Sequence, residues 1–208
     1  MRLTLLTDGS SDRVLEPMLR WMIAQQWRSA ATINWADLRM LARPPGRLPD
    51  RVACALQLHP CDLLVVHRDA ERELPAVRCR EIEEATAGLA VAVVAAVPVR
   101  MIEAWLLFDE SAIRRAAGNP NGTAPLGLPA LVRAESLPDP KRLLHDALLA
   151  ASGLQGRRRS SFRPNIHRLA DLVEDFSPLR ILPSFATFEG HLLATLTALY
   201  AQRGEGPG

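Results

Sequence analysis

The stretch Asp62-Leu63-Leu64-Val65-Val66-His67-Arg68-Asp69 decides how this chain folds. Four consecutive aliphatic residues run without a break and end abruptly in charge. A second run, Val91-Ala92-Val93-Val94-Ala95-Ala96-Val97-Pro98-Val99, carries no polar side chain at all. A strand with one wet face alternates apolar and polar residues. An uninterrupted run is buried on both faces, as parallel strands are when helices cover the sheet. Working outward, residues 75–87 between the two runs read as a helix, and so do residues 49–58 before them. Residues 2–7 form a third apolar, strand-like run, closed by Asp8-Gly9-Ser10-Ser11. Val14, Leu15, Met18, Leu19 and Met22 then recur at helical spacing, predicting a helix from Asp12 to Trp27. Residues 31–41 are a further strand candidate, stopped by Pro44-Pro45-Gly46.

Strands alternating with helices predict an α/β domain over residues 1–118, with a mainly parallel sheet of about four strands flanked by helices. Such sheets place ligand sites at the carboxyl ends of their strands. After Gly118 the texture changes. Residues 119–125 read as a loop, followed by helical stretches near 138–152, 165–176 and 184–202. They predict a helical extension over 119–203 packed on the α/β core, with a disordered tail at 204–208.

Composition narrows the class further. At 208 residues the chain has the size of one domain, and 48% hydrophobic with 23% charged residues is a globular balance. Mean hydropathy is +0.02, and no uncharged apolar run approaches the roughly 18 residues of a membrane span. Asp8 interrupts the N-terminal apolar run before a signal-peptide core forms, predicting a cytoplasmic protein. Cys54, Cys61 and Cys79 lack the paired spacing of a zinc site and are odd in number, against a disulfide framework. A net charge of +2 neither requires nor excludes nucleic acid. All but one of the 25 basic residues are arginine, Lys141 being the exception. A GC-rich genome explains that bias, and so does phosphate recognition by guanidinium forks.

The predicted strand ends deliver acids to one edge of the sheet. Asp8 and Asp12 follow the first strand, Asp69 and Glu71 the third, and Glu103 the fourth, inside Met101-Ile102-Glu103-Ala104-Trp105-Leu106-Leu107. Each acid also has a simpler explanation. Asp8 suits a turn, Asp12 suits the first turn of a helix, and Asp69 and Glu71 could pair with Arg68 and Arg72. Glu103 could pair with Arg100, three residues earlier. Its apolar neighbours predict burial, which is costly for an unpaired carboxylate. Gathered carboxylates repel one another unless a cation sits among them, and hard oxygen ligands suit Mg²⁺ or Mn²⁺.

The pattern Asp8-Gly9-Ser10-Ser11-Asp12 followed by Asp69-Ala70-Glu71 resembles the topoisomerase–primase (Toprim) metal fold, nearest to that of the overcoming-lysogenization-defect nucleases. With Val97–Leu107 and Leu182-Pro183-Ser184-Phe185-Ala186-Thr187-Phe188, the layout is similar to the Toprim-like domain-of-unknown-function family 4276. The resemblance spans most of residues 1–200. It implies a metal-dependent nuclease of a bacterial anti-phage defence module, acting with an ATPase partner on nucleic acid, DNA before RNA, with homo-oligomers allowed. Asp8, Asp12, Asp69, Glu71 and Glu103 would hold Mg²⁺ or Mn²⁺, with Asp8 as the nearest thing to a base. Lys141 is a candidate fixed cation for the transition state. The chain departs from the pattern by carrying Asp at position 8, where the family has Glu, and Glu at position 71, where it has Asp. The alternatives are a catalytically inactive Toprim-like subunit that binds nucleic acid or a partner as a sensor, and a small-molecule phosphohydrolase. The run Arg157-Arg158-Arg159-Ser160-Ser161-Phe162-Arg163 reads as a phosphate clamp, with Arg157, Arg158, Arg159 and Arg163 on the backbone and Phe162 free to stack, or as a solvated loop. His67 could touch the site or be structural.

Overall fold

A computed structural model describes residues 1–27 and 31–204. Within it, four strands form one sheet: β1 (Arg2–Leu6), β2 (Thr32–Ala36), β3 (Leu63–His67) and β4 (Ala92–Ala96), in the order β2-β1-β3-β4. Every pairing is parallel, with Leu6 beside Ala36 and Val66, and His67 beside Ala96. The α/β reading therefore holds. All five residues of β3 are buried, as its unbroken apolar run requires.

Alternate residues of the strands enter two separate cores. Leu3, Leu5, Leu63, Val65, Val94 and Ala96 face the larger one. There they meet α1 (Leu15–Ala24), α4 (Glu110–Ala116), α5 (Pro140–Ala151), α7 (Ile166–Leu172) and α8 (Pro183–Gln202). Leu6, Leu64 and Val66 face the smaller one, against α2 (Leu48–Leu58) and α3 (Pro75–Thr86). The chain leaves β1 for β2 over one face, then crosses back to β3 and on to β4 over the other. Direction and face reverse together, so all three crossovers keep one hand, the hand a twisted parallel sheet demands. Between β1 and β3 the outgoing connections diverge, leaving a crevice at their carboxyl ends.

Several boundaries differ from the sequence expectation. The strand expected over 31–41 stops at Ala36, because Asp37 accepts from the Arg39 N–H at 3.3 Å and closes a short 3-10 turn over Leu38–Met40. The helix expected from Asp12 starts as a 3-10 turn, Ser11–Val14, and becomes α-helical only from Leu15 to Ala24. The helix expected to reach 176 ends at Leu172, where Val173 is already extended. Helix α4, capped by Asp109 through the Ala112 N–H at 2.8 Å, was not expected. Nor was α6 (Gly156–Ser161), which is exposed throughout. Of the tail predicted to be disordered, residues 205–208 lie outside the described residues. Among the described residues, no helix is long and apolar enough to cross a membrane.

The helical segments after residue 119 join the same core as the sheet. Trp105 is fully buried, edge-on to Phe185 at 5.2 Å and stacked on Phe188 at 5.9 Å. Its indole N–H donates to Ser184 Oγ at 3.2 Å. Trp27 stacks on Tyr200 at 5.2 Å, tying the far end of α8 to the end of α1. Truncating Trp105 would empty the junction between the turn that carries Glu103 and α8. Trp105→Ala should therefore cost about 3–5 kcal/mol, measured by denaturant unfolding.

Candidate active site at the switch crevice

The crevice between β1 and β3 gathers side chains from three strand ends. His67 is the last residue of β3 and its side chain has no exposure to solvent. Its Nδ1 lies 3.4 Å from Asp12 Oδ2, and its Nε2 lies 3.2 Å from Asp69 Oδ1. Burial alone would strip the proton from this ring. The carboxylates on both sides outweigh that effect and raise its pKa from 6.5 to about 9. The imidazolium is therefore the favoured form of His67 at neutral pH, each ring nitrogen facing one acid as an ion pair without hydrogen-bond geometry.

Asp12 is buried in turn, and burial opposes its charge. His67, the Gly9 N–H at 2.7 Å and the Ser11 hydroxyl at 2.9 Å reverse that opposition and hold its carboxyl below the usual range. The turn after β1 is pinned from outside as well. Trp35 Nε1 donates to Thr7 Oγ1, which donates to the Gly9 carbonyl, both at 3.0 Å. Asp69 Oδ1 also accepts from the Ile102 N–H at 3.0 Å, so the end of β3 holds the 3-10 turn Ile102–Leu106 in place.

Asp8 stands at the mouth of the crevice, its side chain 38% exposed. Arg51 from α2 pairs with its Oδ1, and Arg68 Nε reaches its Oδ2 at 2.8 Å. Arg68 thus serves Asp8, and Glu81 at 3.4 Å, rather than Asp69 or Glu71 as the sequence reading allowed. Glu71 is exposed and points to none of these cations closely enough for a salt bridge.

Glu103 is 2% exposed, as its apolar neighbours predict. Its partner is Lys141 of α5, whose Nζ lies 3.3 Å from Oε1, and not Arg100. The Arg100 side chain turns instead to the Glu71 carbonyl at 3.3 Å. Glu103 Oε1 has no hydrogen-bond partner despite being buried. The structure thus brings Asp8, Asp12, Asp69 and Glu103 to one edge and supplies each with a basic group from the chain itself. Sequence reasoning left His67 undecided and passed over Arg51. The only signal for His67 was its place between an apolar strand and Arg68-Asp69.

Among the described residues, no group of three His, Cys, Asp or Glu side chains is arranged to hold a metal ion. The basic run lies elsewhere. Arg157, Arg158 and Arg159 are exposed on α6, while Arg163 Nη1 donates to the Phe162 carbonyl at 3.0 Å and that of Ser160 at 3.5 Å. Phe162, expected to be free for stacking, is half-buried against the larger core. No family model, no curated protein and no solved structure matches this chain.

Two outcomes follow from these ion pairs. The His67 pKa is raised on folding, so its stabilisation is complete below pH 6.5 and is lost as pH rises through about 9. Asp12, with a lowered pKa, stabilises above its ordinary 3.8 and loses that contribution as pH falls through its folded value. Unfolding free energy should fall by an amount on the order of 3 kcal/mol between pH 6 and 10 in the wild type. In His67→Asn it should stay nearly flat across that range.

The second outcome is an asymmetry. Lys141 is 47% exposed and Glu103 is not, so Lys141→Met strands a buried carboxylate while Glu103→Gln leaves an ammonium that can turn to water. Chemical unfolding should show a loss of about 3 kcal/mol for Lys141→Met and under about 1 kcal/mol for Glu103→Gln.

Proposed function

We propose that this protein is a divalent-metal-dependent nuclease of the Toprim type, hydrolysing phosphodiester bonds within a bacterial anti-phage defence module that includes an ATPase. One observation carries the reading. Glu103 and Lys141, singled out separately in the sequence, meet at 3.3 Å beside the same sheet edge that holds Asp8, Asp12 and Asp69. Asp69 ties that pair to the end of β3, because it accepts from the Ile102 N–H next to Glu103.

By donor type these acids suit Mg²⁺ or Mn²⁺, but no three of them converge among the described residues, so an ion would have to draw them together. The groups are hard carboxylate oxygens, and Glu103 Oε1, buried without a hydrogen bond, faces the Lys141 ammonium at 3.3 Å, which an ion would displace. Asp8, Asp12, Asp69, Glu71 and Glu103 are the residues that would hold the ion. Such an ion, when bound, activates water and stabilises the leaving oxygen of a phosphodiester. The chain's own groups do the rest. Lys141 presents a half-exposed ammonium to a phosphate docked over Glu103, where it offsets developing negative charge. Arg51 and Arg68 fix the Asp8 carboxylate at the mouth, facing incoming substrate. Arg157, Arg158, Arg159 and Arg163 add sequence-independent affinity for the nucleic-acid backbone.

A second reading is favoured by one specific feature: Asp8, Asp12, Asp69 and Glu103 are each already opposite an internal cation. An acidic site neutralised by the chain itself suits a catalytically inactive subunit that senses nucleic acid or a partner. Incubation of supercoiled plasmid with Mn²⁺ separates the two. Under the nuclease reading, wild type nicks the plasmid, and Glu103→Gln and Lys141→Met each lose at least about a hundredfold in rate. Replacing Arg157, Arg158 and Arg159 together by Ala should weaken DNA binding and lower its salt slope. A plasmid left intact by pure, folded protein with Mn²⁺ or Mg²⁺ present assigns the chain to the inactive class.

A further inference from the structure

Beyond the carboxyl ends of β3 and β4, a cavity of about 460 Å³ opens next to the acidic crevice, within the range of small-ligand sites. Met101 and Asp139 line it, each two residues before one member of the Glu103–Lys141 pair. Three guanidinium groups face it from different segments. Arg72 has no hydrogen bond or ion pair through its side chain among the described residues. Arg78 uses Nη1 on both oxygens of Glu81, at 2.8 and 3.0 Å, and leaves a buried Nε without a partner. Arg100 spends only one weak bond, to the Glu71 carbonyl.

The backbone beneath these groups is unusual. Glu71 and Arg100 have φ of +54° and +69°, the left-handed region that side chains other than glycine rarely adopt. They brace one another: the Glu71 N–H donates to the Arg100 carbonyl at 2.8 Å, while Arg100 Nη1 returns to the Glu71 carbonyl. Residues held this way collect at ligand clamps, where surrounding structure over-determines them. A glycine would satisfy both positions without strain, yet the chain keeps two long charged side chains there.

The lining is mixed in sign, since Glu71, Glu73 and Asp139 share the cavity with the three arginines. Asp139 is occupied in part, accepting from the Arg142 N–H at 2.9 Å. A bare anion would be attracted by one wall and repelled by the other. A nucleotide unit brings a phosphate for the guanidinium forks together with base amino and ring N–H donors for the carboxylates.

We infer that this cavity is the subsite for one nucleotide unit of a single strand, with its phosphate on Arg72 and Arg100 and its donor groups on Glu73. The inference rests on the nuclease reading only for what lies next door, the bond to be cut beside Glu103 and Lys141. Arg78 lends the wall charge and is fixed by Glu81.

The test is binding without chemistry. A fluorescein-labelled, mixed-sequence, single-stranded DNA of 12 nucleotides is titrated into the full chain in EDTA at several salt concentrations, followed by anisotropy. Arg72→Ala and Arg100→Gly combined should weaken binding about tenfold or more and flatten the salt slope by roughly 0.7 per lost phosphate contact. Arg100→Gly relieves the positive φ, so its Tm should equal or exceed that of the wild type while its binding falls. Deoxyadenosine 5′-monophosphate should compete at least tenfold better than inorganic phosphate. Unchanged affinity and slope in the double variant overturn the inference, as does wild-type protein that binds no DNA. Equal competition by inorganic phosphate overturns it too, by making the cavity a simple anion site. So does a Tm loss in Arg100→Gly that accounts for its weaker binding. Arginine-dependent binding without Mn²⁺-dependent nicking keeps the subsite and removes the hydrolysis. Nicking with arginine-independent binding does the reverse.

Discussion

Parallel strands that end in acids on one edge face an electrostatic problem, and the buried His67 imidazolium answers it in this fold. Asp12 arrives after β1 and Asp69 after β3, and without a cation between them two largely buried carboxylates would repel and take up protons. One ring touches both, at 3.4 and 3.2 Å. The consequences spread along the edge. Asp69, held by His67, accepts from the Ile102 N–H and so starts the turn that buries Glu103. Glu103 then reaches Lys141, and α5 is drawn onto the Ile102–Leu106 turn. A chain of charged contacts thus connects the strand ends to the helical part.

Packing makes those contacts precise enough to matter. The larger core runs from the sheet through Trp105 to Phe185 and Phe188, so the turn bearing Glu103 is packed onto α8. A wet surface would screen the His67 and Glu103 pairs to little net effect, whereas burial makes each carboxylate depend on its partner. Around the rim the arrangement loosens. Asp8, Lys141, Arg72 and Arg100 keep part of their surface in water, where an incoming phosphate could compete for them.

The sequence carried the sheet plainly, because two-sided burial writes unbroken aliphatic runs into β3 and β4 and alternation with helices follows. It carried the burial of Glu103 for the same reason, since six of its neighbours are apolar. Partners were hidden. Lys141 meets Glu103 only because α5 packs on the Ile102–Leu106 turn, a contact between distant segments that no local spacing announces. Arg51 reaches Asp8 from a helix that joins different strands, and His67 gains its charge from Asp69, two residues on, together with Asp12, which only the fold brings to it. Short elements escaped as well. Helix α4 spans seven residues and α6 has no buried side chain, so neither writes an apolar period.

The protonation of His67 tests this account most directly. Nitrogen-15 and proton correlation spectra of the imidazole, recorded from pH 6 to 10.5 on the intact chain, report both ring nitrogens at once. The account predicts a doubly protonated ring at pH 7.5, titrating near 9, with that titration shifted downward in Asp69→Asn. A neutral single tautomer at pH 7.5, titrating at or below 6.5, would contradict it.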